Sequence, residues 1–212
     1  MKKIVYVFVS FLLLSCVNKA KNLADHFDYG MVEKGVYKNR FFEFTIPVHE
    51  DWVIQNKEQI NRIVTEGTKL IAGDDKNMEA VLKASEVNTA YLLSVFKYEI
   101  GAPVDYNPSF MIIAENISDT PGIKRGSDYL FQLKKILEQA QIAYTFPKEV
   151  YRKQISETSF DVLEAQINLM GKTVTQDYIS CVKNGFSLSF AATYSNEEEK
   201  VQLYEMIDRL KI

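Results

Sequence analysis

The sequence predicts an α+β fold, because helical and strand-like patterns occur along one chain of 212 residues. Apolar residues recur at helical spacing near residues 60–71 and 130–140, whereas residues 91–98 and 110–117 are rich in aromatic and branched side chains typical of buried strands. Residues 160–194 alternate like a three-strand meander and contain Asn184-Gly185, a favoured hairpin dipeptide. This length suffices for one sizeable core.

The N-terminal residues have the layout of a secretory signal. Lys2 and Lys3 precede the apolar run Ile4–Leu14, which as a helix would cover only about 16 Å, too short for a hydrocarbon core of about 30 Å. The next residues, Leu13-Leu14-Ser15-Cys16, resemble the lipobox of bacterial lipoproteins, in which the cysteine is lipidated and the chain is cut before it. We therefore expect a signal peptide over residues 1–15 and a lipid anchor on Cys16.

The lipobox resemblance implies an exported protein held at a membrane by acyl chains such as palmitate. Val17 and Asn18 follow the cysteine without an acidic residue, which in a double-membrane cell favours the outer membrane. Residues 16–34 are polar and lack regular periodicity, so we expect a tether there. A single globular domain is expected over residues 35–212.

The first half of this domain begins with a strand over residues 41–46, where apolar and polar residues alternate. A capping box of Asn56 and Gln59 then predicts a helix, which Gly73-Asp74-Asp75 ends. The predicted core face of this helix is Ile60, Ile63, Val64, Leu70 and Ile71. A shorter amphipathic stretch with Met78 and Val81 precedes the two hydrophobic strands.

Ser127 is expected to cap the next helix, whose stripe of Leu130, Leu133, Ile136, Leu137 and Ala140 faces the core. Residues 144–155 contain Pro147, which favours an edge strand. After the meander, Ser195 is expected to cap a final helix with Val201, Leu203, Tyr204, Ile207 and Leu210 on its buried face.

The meander allows its cross-strand pairs to be written down if both loops have two residues. One face then pairs Leu163 with Tyr178, and the other changes from polar to apolar along its length. The polar pairs are Glu164–Asp177, Gln166–Thr175 and Asn168–Thr173. A helix over the apolar half alone would leave these six residues open to solvent or to a ligand.

The order of elements resembles the PsbP-like (Mog-type) fold, which several bacterial lipoproteins share. The resemblance covers nearly all of residues 35–212 and depends on Gly35-Val36-Tyr37, on residues 42–47 with Trp52, on Gly171–Tyr178 and on Tyr194–Leu210. It implies a three-layer α/β/α sandwich with a mostly antiparallel sheet, used chiefly to bind or support other proteins. No functional residue is carried over, because these patterns mark a fold and not a catalytic site.

Composition excludes several classes of function. Without residues 1–15 the chain has a net charge of about −5 and no cluster of basic residues, which argues against nucleic-acid binding. The only histidines are His26 and His49, too few for a zinc site or a histidine-based triad, so no cofactor is expected. Cys181 cannot form an intrachain disulfide if Cys16 is lipidated.

The pair Glu164–Asp177 is the most distinctive candidate, because two carboxylates opposite each other repel unless a cation, a basic side chain or water separates them. A Ca²⁺ site would need more oxygen ligands than the neighbouring polar residues provide. The favoured interpretation is a solvated strand end with Lys or Arg nearby.

Three functions follow from this pattern. The first is a non-enzymatic, membrane-anchored binding or assembly module that presents the polar sheet face or a loop edge to an envelope protein. The second is a small-ligand or lipid carrier, whose site lies between helix and sheet where Ile60, Ile63 and Val64 could line a pocket. The third is a hydrolase using carboxylates such as Glu164 and Asp177.

Overall fold

The computed structural model describes residues 27–169 and 171–212. The predicted signal peptide, Cys16 and His26 lie outside these residues. The described residues form four helices, α1 (Lys57–Ala72), α2 (Lys76–Glu86), α3 (Gly126–Glu138) and α4 (Glu197–Ile207). Their strands are β1 (Met31–Glu33), β2 (Val36–Asn39), β3 (Phe44–Pro47), β4 (Val53–Ile54), β5 (Thr89–Phe96), β6 (Ser109–Asn116), β7 (Tyr144–Thr145), β8 (Tyr151–Ile155), β9 (Thr158–Leu169), β10 (Lys172–Lys183) and β11 (Phe186–Tyr194).

The strands form two antiparallel sheets, so the predicted α+β class is confirmed. The large sheet has the order β4-β5-β6-β11-β10-β9-β7, with β8 also paired to β9, and the small sheet has the order β1-β2-β3. In the large sheet β9, β10 and β11 are the predicted meander. Leu169 pairs with Lys172 and Lys183 with Phe186, which leaves two residues in each loop as expected. Asn184 and Gly185 have φ values of 52° and 80°, as a type I′ turn requires.

Three layers are stacked around the large sheet. Ser85 of α2 and Tyr129 of α3 both donate to the Glu115 carboxylate, which places these helices on one face, with α1 packed against α2. The α3 start approaches so closely that a Cβ on Gly126 would collide with the backbone of Ser180. The small sheet and α4 cover the opposite face and enclose the main apolar core.

The globular fold begins before residue 35, so the predicted tether over residues 16–34 extends too far. Phe27 packs against Phe41 and Phe186 with ring centroids 5.1 and 5.4 Å apart. Residues 31–33 form β1. The segment lacks an alternating pattern because β1 has only three residues, and its place in the fold depends on aromatic contacts with distant residues.

Several local predictions are confirmed and others are wrong. The capping box of Asn56 and Gln59 is present, and Gly73 ends α1. The cap of α3 is Arg125 instead of Ser127, because the amide of Ser127 donates to Asp161, and α4 begins at Asn196 instead of Ser195. Three apolar residues of the predicted helical stripes are exposed: Leu70, Val81 and Val201.

Candidate functional site

The meander places the six predicted polar-face residues in the expected register. Glu164 lies opposite Asp177, and the other pairs are Gln166–Thr175 and Asn168–Thr173. The two-residue loops determine this register, and alternation along β9 and β10 then places all six side chains on the face that α4 partly covers.

The expectation that this polar face is open is wrong for half of these residues. Asp177 is 1% exposed, Thr175 8% and Glu164 9%, whereas Asn168 and Thr173 at the strand ends are exposed. Asp177 is enclosed because α4 also covers this part of the face, where the hydroxyl of Tyr204 donates to its Oδ2 at 2.7 Å. Tyr194 of β11 donates to the same oxygen at 3.0 Å.

The two carboxylates have different electrostatic environments. Lys148 lies 2.9 Å from Glu164 Oε2, so Glu164 has the basic partner that the sequence led us to expect. Burial raises the pKa of Asp177; hydrogen bonds from Tyr204 and Tyr194 act against this rise, and the charge of Glu164 adds to it. Its Oδ1 is buried and has no hydrogen-bond partner among the described residues.

Asp177 of this carboxylate cluster is closed off from solvent. Both oxygens of Asp177 are enclosed by protein, so a substrate has no open route to them. Across the described part of the chain, no group of three or more His, Cys, Asp or Glu side chains could hold a metal ion. The six residues therefore remain a predicted ligand face.

A groove of about 800 Å³ lies between α1 and the edge of β5, and this volume falls in the range typical of ligand sites. One wall is the face of α1 with Ile60 and Val64, as the predicted stripe of this helix allowed. The opposite wall includes Tyr29 and Gly30, which precede β1. The floor is formed by four consecutive residues of β5, Thr89, Ala90, Tyr91 and Leu92.

Gln55 is the polar residue that distinguishes this groove. It follows β4, and its backbone amide donates to the Ser94 carbonyl at 2.9 Å. Its side chain is held by Nε2, which donates to the Val53 carbonyl at 3.0 Å. The residue is only 4% exposed, yet its Oε1 has no hydrogen-bond partner among the described residues. An unpaired buried carbonyl is costly, so a ligand N–H that met Oε1 after rotation of the Gln55 side chain toward the groove would relieve this cost.

Charged and hydroxyl groups lie along the same groove. Lys57 begins α1 at one end, and Glu86 accepts a 3.0 Å hydrogen bond from Thr68, eleven residues farther along the helix. Helix rise separates these ends by about 16 Å. Burial, with Glu86 and Glu115 nearby, raises the pKa of Tyr91 to about 12, so its hydroxyl stays protonated at neutral pH.

Sequence reasoning identified the α1 wall of this groove but missed Gln55 and the β5 edge. One signal in the sequence was usable. The helix cap at Asn56 leaves room for only a very short strand before it, which is β4 with Val53 and Ile54. A strand that turns into a helix so early cannot cover a neighbour of eight residues. The sequence does not show which strand β4 would join, so the uncovered edge could not be located.

Comparisons with known proteins report only distant likeness. No protein-family model and no curated protein sequence matches the chain. Among similar solved structures, a Pseudomonas aeruginosa protein of unknown function has a TM-score of 0.42 at 14% identity, covering 59% of this chain and 81% of its own. A Bacteroides thetaiotaomicron protein has a TM-score of 0.40 at 11% identity, and the match covers 79% of this chain but 44% of that protein.

A third similar structure is LpqN, which is involved in cell envelope biogenesis of Mycobacterium tuberculosis. Its TM-score is 0.40 at 14% identity, and the match covers 80% of this chain and 82% of LpqN. None of the described helices is both long and apolar enough to cross a membrane.

Proposed function

We propose that the chain is a membrane-anchored, non-enzymatic binding module of the cell envelope that holds its ligand in the groove between α1 and β5. The observation that carries this proposal is the Gln55 Oε1, a buried acceptor without a partner in the described part of the chain, on a residue that lines a groove of about 800 Å³. Sites that bind ligands are typically concave and carry a few polar groups that orient the ligand.

The presence of this groove favours ligand binding between helix and sheet over ligand binding to the polar face of the sheet. Its lining mixes the apolar side chains of Ile60 and Val64 with the polar side chains of Gln55, Asn61 and Thr65. A lipid chain would be better matched by a closed apolar cavity, so this lining favours an occupant with both polar and apolar groups. By contrast, the enclosed position of Asp177 argues against a carboxylate-based hydrolase.

The lipid anchor is part of the proposal and has its own test. Replacing Cys16 with Ala should move the protein from the membrane pellet to the soluble fraction, because the predicted acyl chains would be lost. Retention of the Cys16→Ala protein in the pellet would refute the anchor without affecting the groove.

The groove is tested by capture from solubilised envelope membranes with the wild-type chain, Asn61→Trp and Asn77→Trp. Asn61 lines the groove, whereas Asn77 is an exposed residue of α2 outside it, so the two variants make the same substitution at different places. Mass spectrometry of the bound proteins and small molecules should find a ligand retained by wild type and Asn77→Trp and lost by Asn61→Trp. Equal retention by all three would refute the site.

A further inference from the structure

One edge of β5 is uncovered over most of its length. Val53 pairs with Phe96, Ile54 pairs with Val95, and the Gln55 amide makes the last backbone hydrogen bond to Ser94 on this side. From Thr89 to Leu93, β6 lies on one side of β5, and no strand of the described chain lies on the other.

The free edge presents backbone donors and acceptors. The Asn116 amide donates to the Asn88 carbonyl at 2.9 Å, so the Asn88 carbonyl points toward β6. Alternation then points the N–H and C=O groups of Thr89 and Tyr91 away from β6. The register shift between Tyr91 and Leu93 accounts for the outward carbonyl of Ser94, three residues after Tyr91.

The free edge of β5 lies inside the groove. Thr89 and Tyr91 line the groove, and the free residues Thr89 to Leu93 span about 14 Å at the rise of an antiparallel strand. An extended chain of about five residues would fit beside them. Its side chains would alternate between the α1 wall with Val64 and the opposite wall with Tyr29.

We propose that the groove binds an extended peptide segment of a partner protein, which adds to the free edge of β5 as a further strand. This inference depends on the proposed function and names its ligand class. Strand addition recognises the peptide backbone through main-chain hydrogen bonds, and side-chain pockets give specificity. When the Gln55 side chain turns toward the groove, its Oε1 accepts one further N–H of the peptide.

Charge complementarity sets the direction preferred by the peptide. Lys57 and Glu86 lie at opposite ends of the groove. A segment with an acidic residue near Lys57 and a basic residue near Glu86 therefore binds best, and reversal of these two residues weakens binding.

The probe is a phage-displayed library of linear heptapeptides, selected on the purified full chain. Enriched peptides are synthesised, and their Kd values are measured for wild type, Asn61→Trp and Asn77→Trp. We expect Asn61→Trp to weaken binding by about tenfold or more, because the indole fills the groove, and Asn77→Trp to stay within about twofold.

N-methylation of the selected peptide, one amide at a time, then tests strand addition itself. In an added strand, alternate amides point toward β5, so methylation should weaken binding by about tenfold at every second residue and have little effect between them. Gln55→Met should also weaken binding with little change in Tm, because removal of the unpaired Oε1 offsets loss of the Nε2 hydrogen bond to Val53.

Two results would overturn the inference: one would exclude strand addition, and the other would exclude peptides as the ligand class. If selected peptides lose affinity with Asn61→Trp but show no alternation on methylation, the groove binds ligands without strand addition, and the proposed function stands. If no selected peptide responds to Asn61→Trp, peptides are not the ligand class of this groove. The proposed function fails separately, if the envelope ligand is also retained by Asn61→Trp.

Discussion

Replacing Asp177 with asparagine tests whether burial of this carboxylate governs the pH dependence of stability. In the folded chain burial raises the pKa above its ordinary value of 3.8. The folded state therefore binds more protons than the unfolded state between these two pKa values. The stability that depends on protonated Asp177 is fully present below pH 3.8 and is lost as pH rises through the raised pKa.

The magnitude follows from the same linkage. Within the window between the two pKa values, wild type should lose about 1.4 kcal/mol of unfolding free energy per pH unit relative to Asp177→Asn. Asparagine still offers Oδ1 as an acceptor to Tyr194 and Tyr204. The amide N–H groups of asparagine take the place of the unpartnered Asp177 oxygen. If they find no acceptor, they lower the unfolding free energy of the variant by about 1–3 kcal/mol at every pH, which leaves the slope against pH unchanged.

Urea unfolding followed by Trp52 fluorescence, from about pH 4 to about pH 8, gives the free-energy difference between Asp177→Asn and wild type. We expect the unfolding free energy of Asp177→Asn to increase relative to that of wild type as pH rises. Asp128→Asn is the control and should leave the profile flat over this range, because the amides of Lys124 and Arg125 lower the pKa of Asp128 and any pH dependence then falls below pH 3.8. A flat or reversed profile for Asp177→Asn would refute the role given to burial.

Three further substitutions test the packing described above by urea and thermal unfolding. Gly126→Ala should lower the unfolding free energy by about 1–3 kcal/mol and Tm by roughly 2–12 °C, because the new Cβ meets the Ser180 backbone. Gly67→Ala is its matched control and should stabilise by up to about 1 kcal/mol, since nothing beyond the neighbouring backbone of α1 lies within 4 Å of its Cβ position. Equal effects of the two substitutions would contradict the close approach of α3. Phe27→Ala should cost about 2 kcal/mol through its aromatic contacts, and an unchanged Tm would mean that residue 27 lies outside the fold.

The meander shows how far local sequence determines tertiary contacts. Two-residue loops and side-chain alternation sufficed to predict that Glu164 faces Asp177 and that Leu163 faces Tyr178, and both pairs are present. Register in a hairpin follows from turn length, which neighbouring residues decide. The capping box of Asn56 and Gln59 was predictable for the same reason, since it joins residues three apart.

Burial of Asp177 was decided by contacts between elements distant in sequence. Tyr204 reaches the carboxylate across 27 positions, and its place depends on how α4 packs on the sheet. The sequence also did not show that residues 27–34 join the fold, because Phe27 contacts residues as distant as Phe186. Such contacts leave no periodic pattern in either segment.

The sequence by itself determined the class of fold, the register of the meander, the α1 face that lines the groove and the prediction of an anchor at Cys16. Only the tertiary structure decided that β4 ends after two residues beside a strand of eight, and that α1 leaves a groove at the exposed edge. A free strand edge is the absence of a partner, and only the positions of all neighbouring elements show which backbone groups lack one. For the same reason, the unpaired Gln55 Oε1 could be found only in the folded chain.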